Sequence, residues 1–243
     1  MAIINQEKCT GCKSCLILCP DKAISFQKGK CSVDEQVCTE CYVCLRHNIC
    51  PNGAFEPTEL DTFIKQFQHV ISDPATSHGI KKGVSGRGAE EVKTLDVVAR
   101  IKRGTVSISI DMGRPGLGVY LRDVEKVAVA LIRSGVEIPP GDKSPLGSLM
   151  PDRTTGKLLP EYLNYHLHSL IMEGTFPESQ LPVVLKGLKE VENEIDTVFT
   201  VGLVMYVDKN CYNSALDCLD DLNIPKPHRG KVNVGLGRPL AAE

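Results

Sequence analysis

Cys9-Thr-Gly-Cys12-Lys-Ser-Cys15-Leu-Ile-Leu-Cys19-Pro20 and Cys38-Thr-Glu-Cys41-Tyr-Val-Cys44-Leu-Arg-His-Asn-Ile-Cys50-Pro51 are the two stretches that decide how this chain is read. Each is C-x₂-C-x₂-C followed by a more distant cysteine and a proline. Three cysteines at that spacing wrap a tight loop whose sulfurs converge on one face of an iron–sulfur cubane. The fourth ligand must come from farther away, and in a two-cluster arrangement the distal cysteine of each run serves the other run's cluster. The expected sets are therefore Cys9, Cys12, Cys15 and Cys50 for one [4Fe–4S] cluster, and Cys38, Cys41, Cys44 and Cys19 for the second. Zinc is the competing reading, since paired C-x₂-C units also make tetrahedral thiolate sites. It gives no role to the third cysteine of each triplet or to the crossed fourth ligands.

Residues 1–57 resemble a bacterial-type two-cluster ferredoxin on these motifs. The rest of the segment agrees with the resemblance. Ala2–Asn5 and Ala23–Gln27 alternate like strands around the first cysteine loop, and Lys28-Gly29-Lys30 reads as a hairpin turn. Cys31–Asp34 and Gly53–Glu56 then bracket the second loop, giving a twofold pseudo-repeat. The proline after each distal cysteine turns the chain and removes a backbone donor near the sulfur. The second run departs from the pattern, with five residues (Leu45–Ile49) before its last cysteine where the first run has three. Arg46 and His47 in that longer loop read as a surface bulge or as groups tuning the nearby cluster, the bulge being preferred. Residues 1–57 carry six acidic and six basic side chains, a neutral balance with weak long-range steering that suits a module held in a larger assembly. Cys31 belongs to neither run and reads as a buried free thiol. Cys211 and Cys218 are seven apart and read as structural or free thiols.

Outside the runs, the 243 residues have an ordinary globular composition, 42% hydrophobic and 24% charged, so disorder over the whole chain is excluded. Eleven cysteines and no tryptophan are unusual, and nine of those cysteines lie between positions 9 and 50. A formal net charge of −2 gives no overall basic field for nucleic acid. No apolar run approaches the roughly 20 residues of a membrane span. The first residues lack an export pattern, so the expected location is the cytoplasm.

Thr58–Ser72 reads as an amphipathic helix on Leu60, Phe63, Ile64, Phe67, Val70 and Ile71, and its stripe is expected to bury within the chain. A glycine-rich basic connector follows. Gly86, Arg87 and Gly88 are anion or cofactor candidates there, although a tether between domains explains the glycines at least as well and is preferred. From Thr105 the pattern suggests an α+β open sheet with helices on one side, a ferredoxin-like sandwich. The expected elements are a strand over 106–112, helices over Leu121–Ser134, Glu161–Glu173, Gln180–Glu194 and Tyr212–Leu222, a short hairpin around Asp152–Thr155, a central strand over Thr197–Val207 and a final strand over Lys231–Leu236. Three units result: a ferredoxin module (1–57), a helix and connector (58–104), and an α+β domain (105–243). Arg114 and Arg238, each in a Gly-Arg-Pro tripeptide, are a further pair of anion candidates. His166-Leu-His168 is set aside, because on a helix the two rings point to different faces.

These readings converge on a non-catalytic iron–sulfur subunit. It would relay single electrons through two [4Fe–4S] clusters to a larger, anaerobic oxidoreductase. The alternatives are a ferredoxin-fused reductase component that binds an organic substrate or flavin, and a redox-linked regulatory protein that senses a ligand.

Overall fold

A computed structural model describes residues 2–73, 75, 101–114, 116–141 and 144–226. Gly86, Arg87 and Gly88, the arm through residue 100, the expected strand Lys231–Leu236 and Arg238 lie outside the described residues.

The N-terminal part consists of two short antiparallel pairs. β1 (Ala2–Ile4) lies against β4 (Phe55–Pro57) with Ile3 opposite Glu56. β2 (Ile24–Gln27) forms a hairpin with β3 (Lys30–Val33), Phe26 opposite Cys31. Lys28 and Gly29 turn the hairpin with φ of 48° and 80°, both in the left-handed region whose twist suits a two-residue turn. The tip folds back on the first cysteine loop. A Cβ on Gly11 would lie 2.1 Å from the Gly29 carbonyl oxygen, so that position requires glycine. Ile4, Ile24, Ala54 and the buried sulfurs of Cys9, Cys15 and Cys31 form a small core. The second loop carries a single helical turn, α1 (Val43–Arg46).

α2 (Phe63–Ser72) starts later than expected, with Thr62 rather than Thr58 preceding its first turn. Its stripe of Ile64, Phe67 and Ile71 is buried in the larger core of the chain. That core is built on β5 (Thr105–Met112), the middle strand of an antiparallel sheet ordered β8-β5-β9, with β8 at Leu170–Pro177 and β9 at Phe199–Val204. Val106, Ile108, Ile110 and Met112 alternate into the core beside α3 (Leu121–Arg133) and α4 (Leu181–Val191). Pro182 sits in the first turn of α4, where its missing N–H costs nothing. A two-stranded pair, β6 (Val119–Tyr120) and β7 (His166–Leu167), stands beside the sheet. α5 (Cys218–Asp221) is a single turn. Helices and antiparallel strands together make this an α+β protein. No helix among the described residues is long and apolar enough to cross a membrane.

Four expectations for this half are corrected. The stretch 161–173 is no α-helix but the end of a 3₁₀ turn (Pro160–Tyr162), β7 and the start of β8, because Leu170, Met172, Gly174 and Phe176 alternate inward with period two against β5. The hairpin around Asp152–Thr155 is absent. A 3₁₀ turn (Leu146–Leu149) and a loop take its place, joined by one bond from Leu159 N–H to the Leu149 carbonyl at 3.0 Å. Among the described residues β9 pairs with β5 alone and lies at the edge of the sheet rather than at its centre, with Thr200 and Val201 exposed. Residues 212–222 form a 3₁₀ turn and α5 instead of one helix.

Candidate metal centre

The two cysteine loops repeat one another in backbone detail. Gly11 and Lys13 hold φ of 72° and 65° in the first, and Glu40 and Tyr42 hold 60° and 56° at the matching places in the second. After the distal cysteines, Lys22 (58°) matches Gly53 (57°). These left-handed residues curl each loop so that its side chains face inward. Ala23 N–H donates to Cys19 Sγ at 3.2 Å, and Ala54 N–H donates to Cys50 Sγ at 3.3 Å. The repeat also brings sulfurs from opposite runs together. One cavity is lined by Cys9, Cys12, Cys15 and Cys50, with Cys31 beside them, and a second by Cys19, Cys38, Cys41 and Cys44. None of the eleven cysteines is paired in a disulfide. Among the described residues no three Cys, His, Asp or Glu side chains converge on a point that one ion could occupy. Each set of sulfurs is spread around a space instead.

The two sets differ in their surroundings. In the first, Cys9 is held below the usual thiol range by the N–H groups of Cys31 and Gly11, and Cys12 by the Ser14 hydroxyl. Burial, then the neighbouring Cys31 thiol, pushes Cys15 up to about 12. In the second, burial pushes Cys38 up to about 12 and Cys44 up to about 11, and it raises Cys41 as well. Sulfurs this buried keep their protons at neutral pH unless a cationic centre displaces them. Apolar walls, sulfur donors on all sides and backbone amides aimed at Sγ fit an iron–sulfur group.

The larger half of the chain closes over the second set. Gln68 of α2 donates from Nε2 to the Cys38 carbonyl (3.2 Å) and the His166 carbonyl (2.8 Å). His69 lies with Nδ1 2.9 Å from the Glu40 carbonyl and its ring 4.4 Å from that of Tyr42. His166, buried on β7, has Nδ1 3.3 Å from the Val37 carbonyl. His168 Nδ1 stands 3.1 Å from both carboxylate oxygens of Asp21, whose side chain is 1% exposed. Thr39 Oγ1 donates to Asp21 Oδ2 at 2.8 Å. His166 thus reaches the start of the second run and His168 the end of the first, both beside the second set of sulfurs, as residues two apart near a strand can. The helical reading of 161–173 had hidden this.

Arg46 is no free surface group. It pairs with Asp73 at the end of α2 and donates to the Cys41 carbonyl at 2.6 Å, whereas His47 is exposed. Arg114 is tied down locally, donating to the Gly113 carbonyl (2.6 Å) and Thr200 Oγ1 (3.3 Å). Cys211 is exposed, and Cys218 donates to the Ala215 carbonyl at 3.1 Å.

The family model for the 4Fe-4S binding domain matches residues 2–25, which hold the first cysteine run. The N-terminal segment is a 4Fe-4S ferredoxin segment. A 55-residue stretch of the chain, 22% of it, is 44% identical to indolepyruvate oxidoreductase subunit IorA of Pyrococcus horikoshii, covering 8% of that protein. Over 53 residues, 21% of the chain, it is 38% identical to pyruvate synthase subunit PorD of Methanocaldococcus jannaschii, covering 59%. Over 40 residues, 16% of the chain, it is 44% identical to a ferredoxin-like protein in the nif region of Rhizobium leguminosarum, covering 62%. The chain therefore spans less than two thirds of each of these relatives. No solved structure matches it.

Proposed function

We propose that the chain is an electron-transfer protein that holds two [4Fe–4S] clusters and serves as a subunit of a larger oxidoreductase. In this reading residues 1–57 are the redox module, 58–104 link it, and 105–243, an open-sheet sandwich, dock it onto the catalytic partner. The observation that carries the reading is the sorting of eight cysteines into two cavities, each lined by three sulfurs of one run and the distal sulfur of the other. When bound, each cluster supplies a one-electron centre.

The chain's own residues hold and insulate these centres. Cys9, Cys12, Cys15 and Cys50 would hold the first, with Ala54 N–H and Cys31 N–H donating toward sulfur. Cys38, Cys41, Cys44 and Cys19 would hold the second, under α2 and β7. The first set has one exposed member, Cys12, and Ile17 of the same cysteine run is 90% exposed. That end is where a redox partner would approach. The relatives are named as subunits of indolepyruvate oxidoreductase and pyruvate synthase, which supports the role of subunit. Cysteines read as cluster ligands rather than as disulfide partners support a cytoplasmic location in this reading.

The test is anaerobic reconstitution with iron and sulfide, followed by iron analysis and EPR of the reduced chain. About eight irons per chain and a spectrum of two interacting cubanes are expected. Zinc in their place, or iron for less than one cluster, overturns the proposal.

A further inference from the structure

Besides its unequal loops, the pseudo-repeat breaks just after the distal cysteines, where the larger half of the chain reaches the second set of sulfurs. After each distal cysteine the sequence runs Cys-Pro-x-x-Ala: Cys19-Pro20-Asp21-Lys22-Ala23 and Cys50-Pro51-Asn52-Gly53-Ala54. Each third residue meets the threonine that follows the other run's first cysteine. At the first site the exposed Asn52 Nδ2 donates to Thr10 Oγ1 at 3.0 Å. At the second the hydrogen bond is reversed. Thr39 Oγ1 donates to the Asp21 carboxylate at 2.8 Å, and the pair is buried. A neutral amide at one site is thus matched by a buried carboxylate at the other.

A carboxylate buried beside four sulfurs is costly unless it is partnered. The partner comes from far along the chain. His168, two residues past His166, sets Nδ1 3.1 Å from both Asp21 oxygens. One difference follows for the second site, a nearby negative charge where the first has a neutral amide. It disfavours a further negative charge there.

Building on the electron-transfer reading above, we propose that Asp21 sets the potential of the second cluster below the value its ligands alone would give, and that His168 is the positioning residue that limits this effect. The larger part of the chain thereby poises one centre of the relay against the other. The step concerned is the addition of one electron from an external one-electron donor. It adds one negative charge, and no bond is made or broken at Asp21 or His168.

The experiment is a redox titration of the full-length, anaerobically reconstituted chain, followed by EPR so that the two centres are read separately. Asp21→Asn, which gives the second site the side chain of the first, raises the reduction equilibrium of one cluster about tenfold, equivalent to about 59 mV for one electron. His168→Ala lowers the same equilibrium severalfold. His168→Asn, which can still offer an N–H to Asp21, stays within about twofold of the parent chain, where about twofold is the limit of a resolvable change. The other cluster stays within that limit in all three variants. Asn52→Asp provides the mirror image and lowers the other cluster instead. Opposite signs for Asp21→Asn and His168→Ala are not what mere loosening of the fold would give. Shifts of the same sign, equal shifts in both clusters, or no resolvable shift in either overturn the proposal. Should His168→Ala fail to load iron, the isosteric Asp21→Asn decides alone, and the absence of an upward shift overturns it. A parent chain with fewer than two reducible clusters overturns the electron-transfer reading itself, a result visible before any variant is made.

Discussion

Replacing Gln68 with methionine tests how firmly the second cysteine loop is fastened to the larger core. The side chain is 2% exposed, and its amide donates to two backbone carbonyls 128 residues apart in sequence, Cys38 and His166. Methionine keeps the length and the apolar stem and removes both donors. The His166 carbonyl is then buried without this partner, at about 1–3 kcal/mol. The Cys38 carbonyl is only partly buried, and losing its bond costs about 0.5–1.5 kcal/mol. The sum is about 1.5–4.5 kcal/mol. In urea, where unfolding slopes are about 1–3 kcal/mol per molar, the midpoint should fall by about 0.5 M or more. Circular dichroism of the apo chain through a urea series measures it. Gln66→Met is the control: Gln66 makes one bond, to the Leu60 carbonyl at 2.8 Å, at a more exposed place on the same helix. A loss at Gln68 below about 0.5 kcal/mol, or no larger than that at Gln66, refutes the reasoning.

Cys19→Ser and Cys50→Ser should each lower iron from about eight to about four per chain, and the cluster lost should be the one held by the other run. EPR signals that vanish with the run bearing the mutation would contradict the crossed arrangement. Gly118→Ala should destabilise the chain by about 2–4 kcal/mol, because a Cβ there would lie 2.1 Å from the His166 ring at a φ of 63°; an unchanged melting temperature would count against the packing described. Glu56 is held below the usual carboxylate range by the Lys8 ammonium and then the Asn5 amide. A depressed carboxylate adds stability above its unfolded value that is lost as pH falls through its folded one. The parent chain should therefore exceed Glu56→Gln in stability at pH 7, and the gap should close toward pH 3. A gap that persists in acid would exclude this origin.

Local pattern made the N-terminal half legible. The cysteine spacing announces the two loops, Lys28-Gly29 announces the hairpin, and Phe67 and its neighbours announce an amphipathic helix. β5 was equally plain, since Val106, Ile108, Ile110 and Met112 alternate without interruption. Between Tyr162 and Phe176 the signal was ambiguous. Leu163, Leu167, Leu170 and Ile171 fit helical spacing, and the period-two set Leu170, Met172, Gly174 and Phe176 decides the matter only once β5 is there to pair with. β9 shows the opposite error: an apolar run read as central has one neighbour among the described residues, because apolar composition does not say how many neighbours a strand has. The histidines were out of reach for a different reason. His168 meets Asp21 across 147 residues, and nothing local foretells such a pairing. One sign of it was visible all the same, in the aspartate and asparagine at matched places after the two Cys-Pro pairs.

The seam made by Gln68, His166 and His168 bears on any attempt to excise the iron-binding portion as a miniature. Severed after Pro57, such a fragment would keep all eight sulfurs yet surrender the imidazole that steadies Asp21 and the amide that clasps the Cys38 carbonyl. Water would take their places, and the carboxylate of Asp21 would face the second set of sulfurs without its imidazole partner. The aspartate would travel with the piece, but the histidine that restrains it, 147 positions downstream, would not.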